Sequence, residues 1–231
     1  MAGLERHRLH GAINEIGKRA PAAVLERLAR HDTAKIVDSM GGQGAMSHEI
    51  KPLETSMRFV GSALTVLTKP GDALFVQKAI DVTQPGDVIL IAADGYKDVS
   101  VIGERLGYFF KRQGAVAIVV DGAVRDSDGM VRDAPPTFAR ASCIRIFGSI
   151  GPGAINVPIS CGGVAVMPGD VVVGDRDGVA VIPREDAERV ADLADAHLEG
   201  ELARLKEVES GRSVSEVFGL DRKIAVWNGA G

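Results

Sequence analysis

Ala115-Val-Ala-Ile-Val-Val-Asp121-Gly-Ala-Val-Arg125-Asp126 is the stretch on which the fold turns. Its first six residues are continuously apolar, and a tight glycine turn bearing acids and an arginine follows. A short apolar run of this kind reads as a strand buried on both faces. Asp87-Val-Ile-Leu-Ile-Ala-Ala93 has the same texture. Between the two, Leu106, Phe109 and Phe110 recur at helical spacing over Val101 to Gln113, and Gly114 ends that helix. The strand from Ala115 brings the chain back, so the helix start at Gly103-Glu104 and the turn at Arg125-Asp126 are expected to meet at one end of a sheet.

Working outward, Pro21 opens a helix carrying Val24, Leu25 and Leu28. Asp32-Thr33 caps a second, with Ile36, Val37 and Met40, stopped by Gly41-Gly42. Val60 to Thr68 reads as a strand and Asp72 to Ile80 as a short helix. Asp121 to Gly129 reads as a loop. Thr137 to Ala139, Ile144 to Phe147, Val164 to Met167, Val171 to Val173 and Val179 to Ile182 read as short β segments. Pro183 to Glu209 reads as a long helix, with Val190, Ala194, Leu198, Leu202 and Leu205 every three to four residues. The expectation is one α/β domain with a β-rich core over about 55–183 and helical arms over 1–52 and 184–231. Such arms either pack on a neighbouring subunit or fold back on their own core.

Composition narrows the function classes. The 231 residues carry 27 Lys+Arg against 31 Asp+Glu, a net charge of −4, which argues against a general nucleic-acid binder. The hydrophobic fraction of 45% supports a sizeable core, and with only 4% aromatics that core is aliphatic. No apolar run approaches the ~20 residues of a membrane helix. The charged start Met1-Ala-Gly-Leu-Glu-Arg-His-Arg-Leu-His10 lacks a signal-peptide core, so a cytoplasmic location is expected. Cys143 and Cys161 cannot by themselves make a disulfide framework or a four-ligand zinc site.

Elimination then narrows the chemistry. The histidines are His7, His10, His31, His48 and His197, and none lies between residues 60 and 185. A Ser-His or Cys-His site would need a histidine borrowed from an arm. No phosphate-binding P-loop occurs, and Gly151-Pro-Gly153 is followed by Ala-Ile-Asn156, which breaks the dinucleotide fingerprint. Lys69, Lys78, Lys97 and Lys111 sit in polar settings that do not suit a Schiff base. What remains is Arg125 beside Asp126 at a strand end, and Gly103-Glu104-Arg105-Leu106 at a helix start, whose free N–H groups suit a carboxylate. A structural ion pair and an ordinary helix start are the competing readings. Asp121, Asp126, Asp128 and Gly129 are similar to a calcium loop, but no acid stands at the twelfth position. An oxygen-ligand site for Mg²⁺ stays open.

These residues resemble a known family. Gly103, twenty-one residues, then Arg125-Asp126 within Val-Val-Asp-Gly-Ala-Val-Arg-Asp is similar to the class II 4-hydroxy-4-methyl-2-oxoglutarate / 4-carboxy-4-hydroxy-2-oxoadipate aldolases and the related RraA-like proteins. The likeness continues in Val60-Gly-Ser-Ala-Leu-Thr-Val, Pro85-Gly-Asp-Val-Ile, Asn156-Val-Pro and Val166-Met-Pro-Gly-Asp170 through Pro183. It implies a β/β/α swivelling-domain fold, a homotrimer or homohexamer with sites between subunits, and Mg²⁺ or Mn²⁺ as cofactor. By match, Asp126 is the metal ligand, Arg125 contacts the substrate and its enolate, and Glu104 orients metal-bound water. Backbone amides around Gly103, Arg105 and Leu106 hold the pyruvyl carboxylate. Glu199 or Glu201 matches an acid that the family takes from a neighbouring subunit. Gly129, after Asp128, departs from members that carry another acid there.

The implied reaction is retro-aldol cleavage of a 4-hydroxy-2-oxo acid, releasing pyruvate, with oxaloacetate decarboxylation through the same enolate. It needs no histidine. A decarboxylase of another 2-oxo acid is the nearest alternative. A non-catalytic regulator that binds an RNA-degrading endonuclease, as RraA proteins do, is the alternative from another class. The partners expected are a small 2-oxo acid and further copies of the chain, with no nucleic acid and no membrane.

Overall fold

The structure, a computed structural model, describes residues 10–227. In chain order it holds helices α1 (Ala22–Leu28) and α2 (Thr33–Ser39), strands β1 (Lys51–Pro52) and β2 (Phe59–Thr68), and helix α3 (Leu74–Ala79). There follow β3 (Asp87–Ile102), α4 (Glu104–Arg112), β4 (Ala117–Val124), α5 (Ser127–Asp133) and β5 (Thr137–Ser142). Short strands β6 (Gly153–Ile155), β7 (Ile159–Cys161) and β8 (Val164–Val166) precede the hairpin β9 (Val171–Asp175) and β10 (Gly178–Ile182). Helices α6 (Ala187–Glu209), α7 (Val214–Phe218) and α8 (Leu220–Trp227) complete the described chain.

The main sheet runs β1-β5-β4-β3-β2-β9-β10, with β6 also paired to β2. Strands β2, β3, β4 and β5 are mutually parallel, while β9 meets β2 antiparallel. The two apolar runs form the centre of this sheet. Strand side chains alternate between faces, and the packing follows that alternation. Ile89, Ile91, Ile118 and Val120 join Phe110, Met130 and Val76 under the helices, while Val88, Leu90, Ala117 and Val119 join Phe138, Ile159 and Cys161 on the other face. Each such Val, Leu or Ile side chain contributes roughly 1.5–3 kcal/mol by leaving water. The outcome is a mixed α/β fold with a large sheet and helices.

The arms fold back. Val24, Leu28 and Ile36 of α1 and α2 pack with Ala187, Val190 and Ala191 of α6 against Val171, Val173, Ala180 and Ile182 of the β9–β10 hairpin. Arg27 pins the two arms together by pairing with Asp192 (2.6 Å) and Asp195 (2.7 Å). Further along, Leu202, Leu205, Val214, Phe218 and Trp227 are exposed.

Three local expectations are corrected. The helix expected from Val101 starts at Glu104, because Val101 and Ile102 still belong to β3, whose pairing with β4 resumes after an irregular stretch. The loop expected over Asp121 to Gly129 is instead the end of β4 and the start of α5. Ile144 to Phe147 forms no strand: the Arg145 carbonyl accepts from the Ser100 N–H (3.2 Å) and hydroxyl (2.8 Å), but no ladder develops.

Candidate active site

In a parallel α/β sheet, ligands bind beyond the carboxyl ends of the strands. Here the segments that follow all four parallel strands line one cleft of about 690 Å³. Gln77 comes from α3, after β2. Gly103, Glu104, Arg105, Leu106 and Tyr108 come from the start of α4, after β3. Arg125 and Asp126 come from the turn after β4, with Asp133 at the far end of α5. Ile146 and Phe147 come from the segment after β5. Gly103, Glu104, Arg105, Leu106, Arg125 and Asp126, matched from the sequence to substrate or metal, therefore stand at one cleft, whereas Asp121, Asp128 and the two acids of the C-terminal arm do not line it.

Two glycines set how closely these groups approach. Gly103 is extended (φ −148°, ψ −176°), a conformation open to any residue, so its requirement is space. A Cβ there would lie 2.6 Å from Asp126 Oδ2 and 2.8 Å from Arg125 Cγ. Without it, the Asp126 carboxylate lies against the backbone that opens α4. Gly129, inside α5, does the same for Glu104, whose carboxylate occupies the place of a Cβ at Gly129.

The first helical bond of α4 runs from the Gly107 N–H to the Gly103 carbonyl (3.0 Å), and no side chain caps the helix. The N–H groups of Glu104, Arg105 and Leu106 are left for a carboxylate, which the positive end of the helix dipole also favours. Asp126 adopts a left-handed backbone (φ 54°, ψ 46°), which aspartate tolerates better than most residues. Its carbonyl accepts from the Met130 N–H (2.8 Å) to start α5. Arg125 donates from its backbone N–H to the Ile102 carbonyl (3.0 Å) and from Nε to Asp126 Oδ2 (3.2 Å). Its guanidinium lies over the Phe147 ring at 5.7 Å, a cation–π contact. Glu104 accepts from Arg132 Nη2 (2.9 Å), which also pairs with Asp133.

The segment that follows Phe147 is anchored in turn by buried Asp72. That carboxylate accepts from the N–H groups of Ile150 (2.7 Å), Leu74 (2.9 Å) and Gly151 (3.1 Å). Burial alone would raise its pKa, but the Ile150, Leu74 and Gly151 N–H bonds outweigh burial and hold it below the usual carboxylate value. Asp72, Tyr108 and Phe147 were not singled out from the sequence. Nothing local marks Asp72 and Phe147, which act across the gap between strand ends, while Tyr108 joins the cleft one turn along α4 from Glu104.

Asp121 parts company with Asp126. It faces the opposite side of the sheet, where it accepts from the Gly162 N–H (2.8 Å) and pairs with Arg140. Cys161 is fully buried nearby, and burial pushes its thiol pKa up, out of reach of nucleophilic use. None of the described histidines lines the cleft; buried His31 pairs with Asp195 (2.7 Å) among the arms. Glu199 and Glu201 also lie outside their own chain's cleft, and Glu201 pairs with Lys35 (2.7 Å).

No group of three or more His, Cys, Asp or Glu converges among the described residues, so a metal held wholly by protein side chains does not fit. Asp126 is a single carboxylate, 44% exposed, set in the space that a Cβ on Gly103 would fill. That donor set fits Mg²⁺ or Mn²⁺, hard ions that take one or two carboxylates and complete their shell with water and substrate oxygens.

The family model RraA-like (Aldolase/RraA) matches residues 33–181. The chain belongs to the RraA-like family. A Halalkalibacterium halodurans relative, named "Putative 4-hydroxy-4-methyl-2-oxoglutarate aldolase", is 42% identical over 162 residues, 70% of this chain and 77% of that protein. Among solved structures, an uncharacterized protein from Pseudomonas syringae pv. tomato superposes with a TM-score of 0.75 at 26% identity, covering 87% of this chain and 98% of the other. Streptomyces coelicolor RraAS2, described as an unusual member of the RNase ES inhibitor RraA protein family, superposes with a TM-score of 0.73 at 28% identity, covering 81% and 100%. The RraA-like family thus supplies both an aldolase name and an inhibitor name. Among the described residues, no helix is long and apolar enough to cross a membrane.

Proposed function

We propose that this chain is a divalent-metal-dependent aldolase that cleaves a 4-hydroxy-2-oxo acid, such as 4-hydroxy-4-methyl-2-oxoglutarate or 4-carboxy-4-hydroxy-2-oxoadipate, and releases pyruvate. The observation that carries the reading is the convergence of an always-charged guanidinium, a half-exposed carboxylate and three unused helix N–H groups on one cleft that no described histidine lines. The N–H groups of Glu104, Arg105 and Leu106 receive the pyruvyl carboxylate. A Mg²⁺ or Mn²⁺ ion held by Asp126 supplies, when bound, Lewis-acid stabilisation of charge on the keto oxygen. As the C3–C4 bond breaks, its electron pair passes into the keto-acid fragment. Arg125 donates hydrogen bonds to the oxygen that becomes negative. Glu104 orients the water that takes the proton from the C4 hydroxyl, whose carbon becomes the new carbonyl. Protonation at C3 then gives pyruvate. Oxaloacetate decarboxylation passes through the same enolate and is the expected side activity. The cleft is completed in a trimer or hexamer by Glu199 or Glu201 of the partner subunit, and light scattering tests that assembly.

The experiment follows pyruvate from oxaloacetate and from 4-hydroxy-4-methyl-2-oxoglutarate with Mg²⁺ or Mn²⁺, with and without chelator. Loss of one well-placed donor to a developing anion costs about 10²- to 10³-fold in kcat, and Arg125→Ala is expected to fall in that range. Activity indifferent to chelator overturns the metal assignment. The likeness to RraAS2 favours one second reading, a regulator that binds an RNA-degrading endonuclease. A protein inert toward every 2-oxo acid tested, yet inhibitory to such an endonuclease, would establish that reading instead.

A further inference from the structure

The charged groups of the cleft are not all equally engaged. Glu104 and Asp133 share Arg132, and Arg125 is paired with Asp126. Arg105 alone among the charged residues lining the cleft makes no ion pair or side-chain hydrogen bond with any described residue. It is exposed, and it stands in the first turn of α4. A cation there opposes the helix dipole, so helix stability gives no reason for it. Tyr108, three residues on, shares its side of α4, lines the same cleft and also makes no hydrogen bond through its hydroxyl.

The cleft, about 690 Å³, leaves room beyond a three-carbon pyruvyl unit for the remainder of a 4-hydroxy-2-oxo acid. Its lining carries three carboxylates, Glu104, Asp126 and Asp133, so a second anionic group on a substrate would be repelled unless a cation met it. With Arg125 engaged at the keto-acid end, Arg105 is the cation left to do so.

We propose that Arg105 is the specificity-determining residue of this cleft. Its guanidinium receives the carboxylate at the far end of the substrate, beside the Tyr108 hydroxyl, and so selects dicarboxylic 2-oxo acids over those of similar length with an uncharged end. The planar guanidinium matches a carboxylate in two-pronged fashion, which a lysine cannot reproduce. The inference rests on the 2-oxo acid reading of the cleft given above.

Two measurements test it separately from that reading. The first compares Mg²⁺-supported cleavage of 4-hydroxy-2-oxoglutarate, which yields pyruvate and glyoxylate, with that of 4-hydroxy-2-oxopentanoate, which yields pyruvate and acetaldehyde. Arg105→Gln keeps the backbone N–H at this position and removes only the guanidinium, so it is expected to lower kcat/KM for the diacid roughly 10- to 100-fold, the range for losing a hydrogen bond to a charged group, and that for the methyl-ended substrate at least fivefold less. Arg105→Lys should recover part of the loss. The second measures calorimetric binding of 2-oxoglutarate and 2-oxopentanoate in the presence of Mg²⁺, with no turnover required. Native protein should prefer the diacid at least tenfold, and Arg105→Gln should abolish that preference. If native protein cleaves neither substrate but shows this binding preference and loses it in Arg105→Gln, the inference stands and the aldolase reading falls. If native protein does not distinguish the two ligands, or Arg105→Gln keeps the preference or weakens both ligands equally, the inference is overturned.

Discussion

Gly103→Ala separates the site from the fold. The backbone at Gly103 is extended, so alanine meets no conformational penalty there. The added Cβ would stand 2.6 Å from Asp126 Oδ2 and 2.8 Å from Arg125 Cγ. Ordinary carbon–oxygen contact begins roughly 1 Å further out, so the Asp126 carboxylate must retreat by about that much. It can do so without unfolding anything, because its side chain is 44% exposed. The stability loss should therefore be small. Replacing a helix-flanking glycine by alanine costs on the order of 0.5–1 kcal/mol, which lowers Tm by roughly 1–4 °C in a domain of this size. Function should suffer far more, since a misplacement of about 1 Å in a catalytic group can cost 10²-fold. The assay pairs a thermal melt with pyruvate release from oxaloacetate at saturating Mn²⁺, and with a Mn²⁺ binding titration. The expected outcome is a nearly native melt, activity down about a hundredfold and weakened Mn²⁺ affinity. Activity within threefold of native would refute the argument, for it would mean that the position of Asp126 against Gly103 does not matter.

Other substitutions probe the neighbouring groups. Gly129→Ala should raise Tm slightly, because alanine is favoured over glycine within a helix by about 1 kcal/mol, yet lower activity at least tenfold by expelling the Glu104 carboxylate; a melt and a rate measurement on one preparation decide it. Asp126→Asn should leave the melt within about 2 °C of native, since asparagine also tolerates the left-handed backbone, while Mn²⁺ no longer activates the protein; persisting Mn²⁺ activation would rule Asp126 out as a ligand. Asp72 has a depressed pKa in the fold, so its contribution is complete above the unfolded value of about 3.9 and is lost as pH falls through the lower folded value. Melts of native protein and Asp72→Asn between pH 6 and pH 2.5 should therefore converge in acid, and a gap that stays constant with pH would contradict the assignment.

The parts of the fold legible in the sequence are those decided by short-range pattern. The runs at Asp87 and Ala115 declare buried strands because both of their faces are apolar. What followed them was harder to read. Beyond Ala93 the chain passes through Asp94 and Gly95, both at positive φ, and a largely exposed stretch whose pairing with β4 is irregular, at Tyr96 and then at Ser100. Those residues look like the end of a strand, so the pattern places the start of α4 at Val101 and not at Glu104. Ser127-Asp128-Gly129 has turn composition, yet it opens a helix, because Asp126 supplies the left-handed bend and Met130 is wholly buried under the sheet. The site divides in the same way. Arg125-Asp126 and Gly103-Glu104 stand out locally, at a strand end and a helix start, but the residues alone leave a structural ion pair and an ordinary helix start open, and their roles come from the family resemblance. Phe147 beneath Arg125 and Asp72 anchoring the segment after Phe147 leave no such mark, because each enters only when strand ends come side by side.

The glycines bear on the choice between an enzyme and a docking protein. A surface that serves only to contact a partner has no use for a glycine inside α5, where alanine would strengthen the helix. Gly129 is buried, and Glu104 occupies the volume that its side chain would take. Gly103 likewise leaves its side-chain volume to Asp126. Two neighbouring elements thus each forgo a side chain, and in both cases a carboxylate of the same cleft fills the gap. Contact surfaces gain affinity from buried aromatic and arginine anchors, whereas catalysis requires groups held to within about 0.5 Å. Backbone cut back to seat two acids answers the second requirement and does nothing for the first. The geometry of this cleft therefore weighs toward chemistry performed on a small anion.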